Sequence, residues 1–90
     1  SKATETVTLS EDDDIKRFVV GARAGQTLTV TAAPSDKSKT VEVILFKGEA
    51  DTNEIENRLT AKLKENGDYV IQIRAFTEKR MSVSVGIEIR

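Results

Sequence analysis

Three groups of side chains in this sequence could do chemistry. Ser10-Glu11-Asp12-Asp13-Asp14 strings carboxylates together, and clustered oxygens are what a calcium ion takes. The Asp-x-Asp-x-Asp-Gly spacing of an EF-hand loop is missing, and a consecutive acidic run is more often a solvated loop. Arg74, Lys79 and Arg80, together with Arg17, could form a local basic patch near the last polar turn. Such a patch would meet a partner's acidic groups. The competing reading is a charged strand end, where Lys and Arg guard an exposed sheet edge. Tyr69, directly after Asn66-Gly67-Asp68, is expected in the core with its hydroxyl tied to nearby backbone.

Catalysis has little to work with. Cysteine and histidine are both absent. That removes disulfides, thiolate chemistry, ordinary zinc sites and the Ser-His-Asp triad. A glycosidase needs two carboxylates set apart for acid and base or nucleophile, and no pair stands out among the 15 acidic residues. The sequence reads as a non-enzyme without a cofactor.

The elements that must position these residues are strands. From Met81 to Ile89 every odd position is a sizeable apolar residue and every even one is polar, charged or glycine. A period of two is what a strand shows when one face meets a core and the other meets water. The same alternation runs through Thr4–Leu9, Ile15–Ala22, Thr27–Ala32, Arg58–Leu63 and the stretch from Tyr69 to Phe76. Leu28, Val30 and Ala32 are placed inward, as are Tyr69, Ile71, Ile73 and Ala75; Arg17 and Val19 are placed outward. Val41–Phe46 is apolar on both sides, with Ile44 and Phe46 opposite Val41, Val43 and Leu45. Such a strand is either covered on both faces or leaves an apolar patch open, and a helix or long loop over Phe46 is the expectation here.

Turns fall between these strands. Ala24-Gly25-Gln26 and Glu65-Asn66-Gly67-Asp68 carry residues that tolerate tight turns, and each is read as closing a hairpin. Ala33–Lys39 is a loop by composition. Lys47–Asn57 is read as the longest irregular segment, with a short helical turn around Thr52–Asn57. Seven or eight short strands at this spacing predict one all-β domain over residues 1–90, an antiparallel β-sandwich with jelly-roll-like connections.

Composition agrees and narrows the partners. The chain is 38% hydrophobic but only 4% aromatic, so Val, Ile and Leu must do most of the packing. Fourteen basic residues against 15 acidic ones give a net charge of −1. That balance argues against a nucleic-acid binder, which needs a basic excess on one face. No apolar run of about 18 residues is present to span a membrane as a helix. A start at Ser1 rather than Met fits either a trimmed chain or a mature, exported protein; a bacterial periplasm or beyond is the expected location.

One larger pattern goes further. Phe18-Val19-Val20-Gly21-Ala22-Arg23-Ala24-Gly25-Gln26-Thr27-Leu28-Thr29-Val30 is followed by Val43-Ile44-Leu45-Phe46. Leu59, Leu63 and Asn66-Gly67-Asp68-Tyr69-Val70-Ile71-Gln72-Ile73 come next, and Val83-Ser84-Val85-Gly86-Ile87-Glu88-Ile89 closes the series. This resembles the periplasmic inhibitors of g-type lysozyme and, more loosely, bacterial pre-peptidase C-terminal domains. The shared features are an aromatic-containing strand, a Gly-Gln turn, an apolar strand and a Gly-x-Tyr entry into the penultimate strand. The resemblance implies a protein-binding inhibitor that plugs an acidic sugar-binding cleft, with Lys79 and Arg80 as its basic loop and Arg74 in support. Two other readings stay open: an accessory module of a secreted protein that binds carbohydrate or calcium, and a structural or designed sandwich without a ligand.

Overall fold

The computed structural model describes residues 2–9, 14–77 and 79–90. Eight strands are present among the described residues: β1 (Lys2–Leu9), β2 (Ile15–Ala22), β3 (Thr27–Pro34), β4 (Thr40–Lys47), β5 (Ala50–Ile55), β6 (Arg58–Leu63), β7 (Gly67–Phe76) and β8 (Met81–Ile89). They form a five-stranded sheet in the order β1-β8-β3-β6-β5 and a three-stranded sheet in the order β2-β7-β4. All the pairings are antiparallel. The two sheets stack as a β-sandwich.

Each sheet turns its apolar side to the other, as the alternation requires. Leu28, Val30 and Ala32 of β3 are buried, as are Leu59, Ala61 and Leu63 of β6 and Val83 and Val85 of β8. Against them lie Val41 and Val43 of β4 and Tyr69, Ile71, Ile73 and Ala75 of β7. Phe18, Val20 and Leu45 pack around the margin. Full burial of side chains of this size is worth about 1.5–3 kcal/mol each, which is why strict alternation fixes the facing of every core strand.

Three expectations are corrected. β2 and β3 do not form a hairpin, because β2 pairs with β7 while β3 pairs with β6 and β8. The Glu65-Asn66-Gly67-Asp68 turn does not close one either, since β6 and β7 belong to different sheets. Only β5 and β6 are consecutive strands that pair; every other connection between successive strands passes from one sheet to the other. A short connection can arch over the core as readily as it can fold back in one sheet, and local turn chemistry does not separate the two.

The third correction concerns Lys47–Asn57. Ala50–Ile55 is a strand rather than a helical turn. It runs along the edge of the large sheet beside β6, with Asp51–Ile55 exposed. A strand that buries neither face carries no alternation to read. Glu56, at φ 53°, makes the left-handed turn into β6, a conformation uncommon outside glycine.

Candidate functional site

The strand registers gather the ends of six strands at one end of the sandwich. Leu9 faces Met81, Pro34 faces Val83, Thr40 faces Phe76 and Ile15 faces Arg74. The described ends of these strands, with the Ser35–Lys39 connection between β3 and β4, therefore lie on the same side, and Asn57 joins them through its side-chain and backbone contacts with Ala32.

Lys79 and Arg80 lie in this cluster and are exposed. The Lys79 backbone is anchored by Thr77, which is 3% exposed. Its hydroxyl donates to the Lys79 carbonyl at 3.1 Å and accepts from the Lys79 N–H at 3.3 Å. A hydroxyl that bonds two residues ahead is the ordinary way a short turn is set. The result is an anchored Lys79 backbone with the exposed Arg80 next to it.

The neighbouring Ser35–Lys39 connection is held the same way. The Asp36 carboxylate accepts from the Ser38 hydroxyl at 2.6 Å and from the Ser38 N–H at 3.0 Å. These hydrogen bonds hold its carboxyl below the usual range. Lys39 N–H donates to the Asp36 carbonyl at 3.1 Å, and Ser35 N–H donates to the Ser82 carbonyl at 2.8 Å. Lys37 and Lys39 line an open cavity of about 480 Å³ with Pro34, Thr40, Glu56 and Asn57.

Arg74 is placed differently from Lys79 and Arg80. It lies within β7, half-buried, on the outer face of the three-stranded sheet, and its guanidinium carbon is 4.8 Å from the ring centroid of Phe76. Arg17 is one row further along that face, opposite Gln72. The basic residues thus run from the end loop onto the side of the small sheet.

Among the described residues no helix or loop covers Phe46. It is 51% exposed, and Arg17 sits over its ring with 3.9 Å from guanidinium carbon to centroid. The signal for this face was the doubly apolar Val41–Phe46 stretch, together with Val19, Val70 and Phe76 at outward positions. Read strand by strand, these residues are scattered; the order β2-β7-β4 puts them side by side.

Tyr69 is at the opposite end, 1% exposed. Its hydroxyl donates to the Glu65 carbonyl at 2.7 Å and accepts from the Glu65 N–H at 3.2 Å, with the Glu49 carbonyl also at 3.2 Å. It is the core residue expected of it. The Ser10–Asp13 part of the acidic run lies outside the described residues. Asp14 immediately precedes β2: its carboxylate accepts from Ile15 N–H at 2.9 Å and its carbonyl from Ala75 N–H at 3.4 Å. Among the described residues no three His, Cys, Asp or Glu side chains are grouped to hold a metal.

This arrangement can recognise an acidic surface; what it resembles is decided by its backbone. The inhibitor of g-type lysozyme from Aeromonas hydrophila superposes with a TM-score of 0.74 over 99% of this chain and 86% of its own, at 18% identity. The fold is that of the periplasmic inhibitors of g-type lysozyme. The Salmonella Typhimurium inhibitor gives a TM-score of 0.62 at 17% identity, covering 99% of this chain and 91% of that one. A mutant of the Escherichia coli inhibitor gives 0.61 at 16% identity, covering 100% and 88%. No family model matches the sequence, and no curated protein matches it. The lysozyme-inhibitor fold is therefore recognised here through shape along the whole chain, with few identical residues.

Proposed function

We propose that this chain is an exported, single-domain lysozyme inhibitor that acts by binding and has no catalytic step. The observation that carries the reading is the superposition on the Aeromonas inhibitor along 99% of the chain. The exposed cations of the Thr77–Arg80 connection add to it. Lysozymes work with acidic groups in a sugar-binding cleft, and a loop tip bearing Lys79 and Arg80 has the complementary charge. In this reading the tip enters the cleft and blocks the sugar chain, while Arg74 supports it from the adjoining sheet face. The anchoring by Thr77 favours tight binding, because less backbone freedom is lost on docking.

The test is a titration against g-, c- and i-type lysozymes with lysis of cell-wall material as the readout. The expected result is suppression of g-type lysis near equimolar inhibitor, weakening as salt is raised. Unimpeded lysis by all three at micromolar excess would overturn the proposal.

A further inference from the structure

Five large hydrophobic residues are exposed among the described residues: Ile15 at 40%, Val19 at 67%, Phe46 at 51%, Ile55 at 61% and Phe76 at 41%. Single exposed apolar residues are ordinary. Here all but Ile55 belong to the outer face of the three-stranded sheet. The register sets Val19 beside Val70, Arg17 beside Gln72 and Ile44, and Ile15 beside Arg74 and Glu42. The β4 bulge between Leu45 and Lys47 puts Phe46 at the margin of these rows. An apolar face of this kind, carrying arginine and aromatic rings and little acid, has the composition of a protein interface centre.

Arg17 is prepared for a ligand. Its Nε donates to Gln72 Oε1 at 3.0 Å and its guanidinium carbon is 3.9 Å from the Phe46 centroid. Gln72 beneath it is only 8% exposed. The side chain thus spans the small sheet from β2 across β7 to β4. Its terminal nitrogens have no carboxylate partner among the described residues. A guanidinium with its plane fixed and its two terminal nitrogens open among the described residues is a receptor for one carboxylate.

We infer that the outer face of the small sheet is a second contact surface for the inhibited lysozyme, with Arg17 receiving a carboxylate set in an apolar part of that enzyme's surface. This rests on the inhibitor reading above. Continuity supports a single partner: Arg17 and Arg74 occupy successive rows, and β7 leads directly into the Lys79–Arg80 tip. Charge supports the same choice, since a second copy of this chain would present the same two guanidiniums.

Calorimetric titration with g-type lysozyme tests the surface, using the wild type, Arg17→Lys, Val19→Asp and Lys79→Ala/Arg80→Ala. Arg17→Lys keeps the charge and loses the fork; Val19→Asp puts a like charge against the enzyme's carboxylate. Each is expected to weaken binding about tenfold; Val19→Asp should melt close to the wild type, and Arg17→Lys, which loses the Gln72 hydrogen bond, somewhat below it. Binding that matches the wild type in both Arg17→Lys and Val19→Asp would overturn the second surface and leave the inhibitor reading standing. Loss of a dimer in Val19→Asp, seen by sedimentation with lysozyme affinity unchanged, would assign the face to self-association and overturn it too. A wild type that binds no lysozyme removes both proposals.

Discussion

Arg17 on β2 and Phe46 on β4, the two outer strands of the small sheet, meet across β7 with 3.9 Å between guanidinium carbon and ring centroid. The contact ties together strands that share no backbone hydrogen bond. A cation over a half-exposed ring is worth about 0.5–1 kcal/mol. Phe46→Leu keeps apolar bulk and removes the ring, so it should lower unfolding stability by about that amount. Urea denaturation should show a lower midpoint with an unchanged slope; an unchanged midpoint would remove any stabilising role for the pair.

Gly48 and Tyr69 form the tightest joint at the other end. Gly48 has φ 125°, and a Cβ there would enter the Tyr69 ring. Gly48→Ala therefore combines left-handed strain with overpacking against a buried side chain. The expected loss is about 2–4 kcal/mol, measurable as a drop in melting temperature. An alanine variant as stable as the wild type would mean that the ring moves freely, which its hydroxyl bonds to Glu65 oppose.

Lys79 and Arg80 are exposed, so replacing both with alanine should leave stability within about 0.5 kcal/mol of the wild type. If they enter an acidic cleft, the same change should weaken the lysozyme complex by about 2–5 kcal/mol. Inhibition assays paired with thermal melts separate the two effects. An inhibitor at full strength without these cations would assign the function to another surface.

Acidity should act through Glu88 and Asp36. The hydrogen bond from Lys2 at 3.3 Å, with Arg90 Nε at 2.8 Å adding its charge, holds the Glu88 carboxyl below its ordinary value. Asp36 is lowered by Ser38. A carboxyl depressed in the folded state stabilises it above the unfolded value, and that contribution disappears as pH falls through the folded one. Stability should accordingly fall on acidification through and below the ordinary carboxylate range. Glu88→Gln should flatten part of this decline in melting temperature against pH. A variant curve parallel to the wild type's would exclude Glu88 as a contributor. With no histidine in the chain, the profile should be flat between about pH 6 and 8.

The alternation of residues such as Met81, Val83 and Val85 was enough to determine that most of the chain is strand and which side of the alternating strands faces the core. The reason is local: a period of two assigns successive side chains to opposite faces whatever lies alongside. The resemblance to the inhibitor fold was legible through the same residues. Ala50–Ile55 escaped because a strand at the rim, buried on neither face, leaves no such mark. The hairpins expected at Gly25 and at Asn66-Gly67 became crossings between sheets, since a turn's chemistry specifies its curvature and not the strand beyond it. The joining of Arg17, Gln72 and Phe46, and of the Ser35–Lys39 connection with the Glu56–Asn57 turn at one end, was decided by tertiary structure alone. Strand order is set by which apolar faces pack best across the whole chain, and no segment of the sequence carries that information by itself.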